Sequence, residues 1–166
     1  MRIDSFYDGV IFNLPNLKRV KVDKKTVETY SLTVGDIVIN RGNSRKFLGK
    51  RALVTELLEE TIFESNMMRF SVDTKRVNPG FIIALLQHNY IKRQILTKAR
   101  DAVNQSSINQ QDVKSLEVRL PPVEKQNRYV EIAKKSEELL NSINRWDQLS
   151  INLSNSLTQR AFRGEL

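Results

Sequence analysis

The stretch from Leu120 to Leu140 reads LPPVEKQNRYVEIAKKSEELL, and the character of the sequence changes within it. Pro121 restricts Leu120 to an extended conformation. Pro122 suits the first turn of a helix, where a backbone N–H has no intrahelical acceptor. From Val123 to Arg163 the chain contains neither Gly nor Pro. The sequence therefore predicts one continuous helix of about 40 residues, which is about 60 Å long at 1.5 Å per residue.

Seam positions recur along this helix in alternating steps of three and four residues from Tyr129 to Leu157, the heptad spacing of a coiled coil, and all of them except Ser136 and Ser150 are aliphatic or aromatic. We expect the helix-pairing contacts to come from Ile132, Leu139, Ile143, Trp146, Leu153 and Leu157. No other segment is long enough to cover this seam. The partner helix is therefore expected in a second chain or in another part of a longer protein. The alternative is a helix that lies across its own domain.

The residues before the proline pair have the mixed pattern of an α+β domain. The β-branched run Ile37–Asn40 predicts a buried strand, and further strands are predicted at 52–55, 68–72 and 115–120. Asn78 and Pro79 form a helix start signal, and helical spacing predicts one helix that reaches Arg100. Residues 1–30 and 102–111 are predicted to be irregular. The predicted fold is α+β, with a small mixed-sheet domain over residues 1–120 and one long coiled-coil helix over residues 121–166.

Positive charge is concentrated in the first part of the chain. The net charge is +8, and the segment after Pro122 contributes only +1 of it, from seven basic and six acidic residues. A basic domain of this kind is typical of a protein that binds a partner with many negative charges, most simply nucleic acid. A solvated basic surface without such a partner is the alternative.

The strongest binding candidate is the segment NRGNSRKFLGKR at residues 40–51, which we call the basic loop. Arg and Lys contact phosphates or guanine, and Asn and Ser add hydrogen-bonding groups. The predicted DNA-binding residues are Arg41, Asn43, Ser44, Arg45, Lys46, Lys50 and Arg51. A second basic set follows on the predicted helix, formed by Lys92, Arg93, Lys98 and Arg100.

Signals for catalysis are weak in this sequence. There is no Cys, and the one His, His88, has no potential metal-ligating Cys beside it. The carboxylates at 36, 56, 59, 60 and 64 lack the spacing of a metal cluster, and no phosphate-binding glycine motif is present. We therefore predict no catalytic residue, no metal and no cofactor. A small metal-dependent nuclease is the less favoured alternative.

The sequence also indicates a cellular location. No apolar stretch approaches the length of a membrane span, and the first residues lack the apolar core of a signal peptide. With no Cys in the chain, nothing points to an oxidising compartment. We expect a cytoplasmic protein with no membrane partner.

Several short motifs, taken together, resemble the DNA-specificity (S) subunit of bacterial type I restriction–modification systems. They are GDIVINR at 35–41, Gly49, PGFI at 79–82, QSSIN at 105–109, LPPVEKQ at 120–126 and SLTQRAFRGEL at 156–166. The resemblance covers about residues 30–166. Lys125 stands where the family more often has Glu.

This resemblance implies a function without chemistry of its own. Such subunits consist of two similar halves, each with a target-recognition domain and a long helix, and the two helices pair antiparallel as a spacer. Each domain reads one part of a split target in double-stranded DNA. The helices also dock methyltransferase (M) subunits, and separate motor/nuclease (R) subunits cut the DNA.

The chain is expected to contain one such half, with a recognition domain that lacks much of the usual front part. A fragment, a truncated product and a half-subunit that pairs with its own copy, or with a second S half, all remain open at this point. The rival function is a coiled-coil dimerisation protein that does not bind DNA.

Overall fold

The computed structural model describes residues 1–7, 9–12, 14–103 and 105–165, and these form two compact units, Met1–Gln126 and Asn127–Leu166. The helices are α1 (Lys24–Tyr30), α2 (Pro79–Gln87), α3 (Asn89–Lys98), α4 (Gln110–Lys114) and α5 (Val123–Phe162). The strands are β1 (Phe6–Tyr7), β2 (Val10–Ile11), β3 (Ile37–Asn40), β4 (Gly42–Asn43), β5 (Arg51–Leu53), β6 (Met67–Phe70), β7 (Arg100–Ala102) and β8 (Gln105–Ser107). The predicted α+β class with a long C-terminal helix is confirmed.

Strand β3 is the centre of the first unit. It lies between β5 and β6, is antiparallel to both, and all four of its residues are buried. Side chains alternate across a strand, so β3 serves two separate clusters of buried residues. Val38 packs with Phe6 in one cluster, and Ile37 and Ile39 pack with Ile91 in the other. Burial on both faces explains the unbroken β-branched run, and the three strands predicted from residue 37 to residue 72 are confirmed with small shifts at their ends.

A second three-stranded sheet has the order β4-β8-β7, with both pairings antiparallel. The prediction of an irregular polar segment at 102–111 is wrong, because this segment contains β8 and the start of α4. Polar residues form strands here because the backbone of β8 bonds to β4, a segment distant in sequence. Asn104, between β7 and β8, lies outside the described residues.

The prediction of a strand at 115–120 is also wrong. The alternation of Leu116, Val118 and Leu120 fits a strand, but no neighbouring strand pairs with this segment among the described residues. A side chain supplies the missing backbone partners instead. Gln94 Nε2 donates to Glu117 O at 3.0 Å, and Glu117 N donates to Gln94 Oε1 at 2.9 Å.

The predicted helix from Pro79 towards Arg100 is two helices, α2 and α3, separated at His88. Asn78 Oδ1 caps α2 by accepting from Gly80 N at 2.8 Å, as the start signal predicts. His88 has extended backbone angles, and its N–H donates to the last carbonyls of α2. Its Nδ1 accepts from Tyr90 N at 3.2 Å, so the lone histidine caps α3.

Helix α1 was missed because residues 1–30 were predicted to be irregular. Its N-cap is Asp23, whose Oδ1 accepts from Thr26 N at 2.7 Å. None of the seven residues of α1 is fully buried, although Tyr30 is half-buried against the core cluster that contains Phe63. A helix this short and largely exposed is marked in the sequence by its cap more than by a hydrophobic pattern.

Helix α5 begins one residue after the proline pair, as predicted, and it is continuous for 40 residues. Lys125 N and Gln126 N donate to Pro122 O at 3.0 and 3.2 Å. Its first turn belongs to the first unit, and Gln126 is its one buried residue. Among the described helices, none combines the length and apolar character needed to cross a bilayer.

Gln126 is fully buried, and both the oxygen and the nitrogen of its side-chain amide form hydrogen bonds. Its Oε1 accepts from Asn78 N at 2.9 Å, and its Nε2 donates to Arg76 O at 3.1 Å and to Pro121 O at 2.7 Å. One side chain thus joins the start of α5 to the residues just before α2 and to the proline pair.

Candidate nucleic-acid interface

The basic loop leaves the central sheet at the end of β3 and returns to it at the start of β5, and backbone hydrogen bonds join its two ends. Asn40 N donates to Lys50 O at 2.7 Å, and Gly49 N donates to Asn40 O at 3.0 Å. Inside the loop, Asn40 Nδ2 donates to Phe47 O at 2.8 Å. Gly49 has φ of +73°, and a Cβ there would lie 2.8 Å from Ile95 Cδ1, so both conformation and space require glycine. The loop therefore has a defined backbone.

The loop is also fixed to the second sheet. Gly42 pairs with Ser107, and Asn43 pairs with Ser106, which places β4 beside the β7–β8 hairpin. Arg41 N donates to Asn66 O at 2.8 Å, and Ile108 N donates to Arg41 O at 2.8 Å. These bonds come from both sides of the residue and leave its side chain exposed.

Four of the seven predicted DNA-binding residues have exposed side chains on this loop without an ion-pair partner among the described residues. They are Arg41, Asn43, Ser44 and Lys46. Asn43 Oδ1 accepts from Ser44 N at 2.6 Å, and Lys46 Nζ lies 5.7 Å from the centroid of the Phe47 ring. The structure thus brings two cationic and two neutral polar side chains together on one exposed loop.

Arg45, also exposed, is held by residues that are remote in sequence. Its NH1 forms an ion pair with Asp101 Oδ2, and its NH2 donates to Leu96 O at 3.0 Å. Ser106 Oγ donates to the other oxygen of Asp101 at 2.6 Å. Arg45 therefore ties the basic loop to α3 and to the β7–β8 hairpin, and half of its side-chain surface remains accessible.

Lys50 and Arg51 are both less accessible than the four exposed residues of the loop. Lys50 Nζ donates to Ile3 O at 2.6 Å and lies 5.1 Å from the Phe6 ring centroid and 5.3 Å from that of Tyr7. Arg51 is half-buried on β5, opposite Ile39. The structure turns Lys50 towards Ile3 and half-buries Arg51, and the role of both residues in DNA contact stays a prediction.

The second basic set is divided in the same way. Lys92 and Arg93 are exposed on α3. Arg100 forms an ion pair with Asp112 at 2.8 Å. The pKa of Asp112 is lowered, because the hydrogen bond from Asn109 N, the largest effect, acts together with Arg100 to outweigh the opposing effect of burial. Arg100 therefore stabilises the capped start of α4.

Sequence reasoning missed one cationic residue, Arg69 on β6. Its NH1 donates to Asp36 Oδ2 at 3.2 Å, and Asp36 is 2% exposed. Burial acts to raise the pKa of Asp36, but hydrogen bonds from Thr33, Ser71 and Arg69 outweigh it, so the pKa is lowered. An ionised carboxylate therefore orients Arg69. The signal in the sequence is weak, because the two residues are 33 positions apart.

The predicted helix-pairing residues all lie on the exposed part of α5. The exposed fractions are 55% for Ile132, 62% for Leu139, 51% for Ile143, 72% for Trp146, 62% for Leu153 and 43% for Leu157. Glu131 and Lys135, both exposed on α5 and four positions apart, form an ion pair at 2.7 Å. The seam is thus accessible along its length, and its pairing stays a prediction.

Within residues 1–7, 9–12, 14–103 and 105–165, no three His, Asp or Glu side chains are placed to hold a metal ion.

Comparison with known families gives one match that covers most of the chain. The profile of the type I restriction modification DNA specificity domain matches residues 4–153. The chain belongs to this family. The matched range contains the whole basic loop and three quarters of α5, so the family resemblance of the sequence motifs is confirmed.

Curated members of the family are similar over most or all of this chain. It is 30% identical over 145 residues to the type I restriction enzyme MjaX specificity subunit of Methanocaldococcus jannaschii, a match that covers 87% of this chain and 34% of the relative. It is 28% identical over 178 residues to the StySPI specificity subunit of Salmonella potsdam, covering 100% of this chain and 37% of the relative. The chain spans about a third of the length of these relatives.

Solved structures show the same fold. A chain from a study of complex assembly and conformational transition in the type I R-M system superposes with a TM-score of 0.66 at 19% identity, over 97% of this chain and 41% of the other. The HsdS subunit from Thermoanaerobacter tengcongensis gives 0.56 at 20% identity, over 69% of this chain and 29% of the other. At these identities the similarity concerns the fold alone.

Proposed function

We propose that this chain recognises one part of a bipartite duplex target for a type I restriction–modification complex. The observation that carries the proposal is the family match over residues 4–153, which includes the basic loop. The charge distribution supports it, because the first 122 residues hold +7 of the net charge of +8. Phosphate contacts from Arg and Lys supply much of the affinity of such proteins, and base contacts supply the specificity.

Helix α5 serves as the spacer in this proposal. Its uncovered seam would pair with the corresponding helix of a second S half or of a second copy of this chain. Because each Leu or Ile of the seam is already about half buried, its complete burial in such a pair would contribute about 1 kcal/mol. The paired helices would dock the M subunits, and R subunits would join the complex. The chain itself would bind no cofactor and catalyse no step.

A coiled-coil dimerisation protein without DNA binding is the second candidate. The accessible seam on α5 favours it as strongly as it favours the first proposal. The two proposals predict the same assembly in solution and differ only in what the basic first unit does. A single experiment can therefore separate them.

The experiment is a measurement of molar mass in solution, with and without a pool of random-sequence DNA duplexes, over a series of salt concentrations. The first proposal predicts a dimer that binds duplex DNA, with an affinity that falls steeply as salt rises. A dimer that ignores DNA even at low salt would support the dimerisation protein and overturn DNA recognition.

A variant tests the seam in the same assay. Ile143→Asp places a charge in the middle of the apolar seam, and we expect the dimer to dissociate because a buried unpaired charge is strongly unfavourable. Ser142→Asp, at the neighbouring position outside the seam, is the matched control. Equal masses for the two variants would contradict pairing through this face.

A further inference from the structure

Two clefts on the first unit differ sharply in their charge. The larger, of about 930 Å³, is lined among the described residues by three basic and four acidic side chains, including Glu59 and Glu64. The smaller, of about 300 Å³, is lined by Arg41 and Arg69 and, within the described part of the chain, by no carboxylate. We call the smaller one the Arg41–Arg69 groove. Volume favours the first cleft, but an anion is repelled by the acidic side chains there and attracted by the two arginines of the second.

Arg69 is oriented before any ligand arrives. Its guanidinium donates from NH1 to Asp36, which is itself fixed by Thr33 N at 2.9 Å and Ser71 Oγ at 3.0 Å. A guanidinium has five N–H donors, so this bond leaves others for a ligand. About a third of the side chain, 34%, remains exposed. A preoriented guanidinium loses less conformational entropy on binding.

Arg41, which directly follows strand β3, contributes the second guanidinium of the groove. Its backbone is held on both sides by Asn66 O and Ile108 N. Its side chain is exposed and has no ion-pair partner among the described residues. The positive charge of Arg41 is therefore available, whereas that of Arg69 is partly balanced by Asp36.

The rest of the groove is neutral. Polar side chains of Ser65 and Gln110 are exposed at it, and the Tyr30 ring, packed edge-on against Phe63 at 5.4 Å between centroids, forms part of its wall. Two guanidiniums with neutral hydrogen-bonding groups suit the oxygens of a phosphate. They do not provide the matched donor and acceptor pattern that distinguishes one base pair from another.

We propose that the Arg41–Arg69 groove holds a phosphodiester of the DNA backbone and thereby positions the basic loop without reading sequence. This inference rests on the proposed function, and it assigns Arg41 and Arg69 a role that differs from that of Asn43, Ser44 and Lys46. The contact is expected to contribute equally on every duplex.

The test is the salt dependence of duplex binding by the full chain. Arg41→Gln should weaken binding by a similar factor on all duplexes in a panel of different sequences. Each lost phosphate contact reduces the slope of log K against log salt by about 0.9, so the loss of affinity between 50 and 200 mM salt becomes about 3.5-fold smaller. Arg69→Gln should reduce the slope in the same direction but by a smaller amount, because Asp36 already balances part of the charge of Arg69.

Arg19→Gln is the matched control. Arg19 lines the larger cleft, where it pairs with Glu59 at 3.0 Å, and its replacement should leave the slope unchanged. Since Arg69→Gln leaves the buried Asp36 without its cation, circular dichroism checks its fold. Arg41→Gln carries the test even if the Arg69 variant unfolds.

The outcomes separate the inference from the proposed function. If the unaltered chain binds DNA and Arg41→Gln keeps the full salt slope, the phosphodiester assignment is overturned while DNA recognition stands. If Arg41→Gln weakens binding to only one sequence, Arg41 reads a base and the assignment is equally overturned. If the unaltered chain binds no duplex at low salt, both proposals are removed.

Discussion

Replacing Gln126 by Glu should destabilise the first unit by at least about 2 kcal/mol at neutral pH. The two side chains have the same shape, but a carboxylate cannot donate. Arg76 O and Pro121 O, now bonded to Gln126 Nε2 at 3.1 and 2.7 Å, would lose their donor and face a buried anion. Each buried acceptor left without a partner costs about 1–3 kcal/mol. The bond from Asn78 N can persist, because a carboxylate still accepts.

The loss of stability caused by Gln126→Glu, which we call the deficit, should depend on pH with a definite sign. Burial and the two facing carbonyls disfavour the charged form, so the introduced carboxyl should have a pKa above that of an unfolded glutamic acid. Protonation restores one donor. The deficit is therefore smallest in acid and increases as pH rises through the pKa of the folded state.

The measurement is amide hydrogen exchange at the β3 amides, which reports the free energy of unfolding of the first unit. Gln148→Glu is the matched control, because it makes the same change on the same helix at an exposed position. We expect it to stay within about 0.5 kcal/mol of the unaltered chain. Equal stability of the two variants at neutral pH, or a deficit at position 126 that does not change with pH, would refute the reasoning.

Two further predictions concern Gly49 in the basic loop and Asp36, the buried carboxylate that pairs with Arg69. Gly49→Ala should cost about 1–3 kcal/mol in urea unfolding, because its φ is positive and its Cβ would collide with Ile95, whereas Gly35→Ala, with open space around it, should cost less. Asp36→Asn should lower stability by about 1–3 kcal/mol at neutral pH by removing the charge that faces Arg69, and the difference from the unaltered chain should shrink as pH falls, because the lowered pKa of Asp36 means that its contribution is lost in acid.

Either result could contradict its prediction. Equal costs at the two glycines would mean that the contact with Ile95 relaxes without strain. The free energies of unfolding of Asp36→Asn and of the unaltered chain can be measured in urea from neutral to acid pH. If their difference stays constant over that range, the ion pair with Arg69 does not contribute to stability.

Elements with a strong local signal could be predicted from the sequence. Strand β3 follows from its β-branched run, α2 from the Asn78 cap with Pro79, and α5 from the proline pair and the absence of later helix breakers. In each case the physical cause lies within a few neighbouring residues. Caps and turn preferences act at that range, so a reader of the sequence has all the information needed.

Elements whose hydrogen bonds come from distant residues could not be predicted. The polar strand β8 forms because β4 pairs with it. The backbone N–H and carbonyl of Glu117 bond to the side chain of Gln94 and not to a neighbouring strand. The break at His88 is similar, since helical spacing continues through it. Backbone groups need partners, but the sequence does not say which distant group will supply them.

The candidate site shows the same division. The sequence determined that a cluster of basic and amide residues lies between two strands, because composition and spacing are local properties. The tertiary structure decided which of those charges remain available, since Arg45 pairs with Asp101, 56 positions away, and Lys50 turns to Ile3, 47 positions away. It also brought Arg69 to the same groove as Arg41. Charge interactions act through space, so only the fold determines whether a basic side chain forms an internal ion pair or stays available to a ligand.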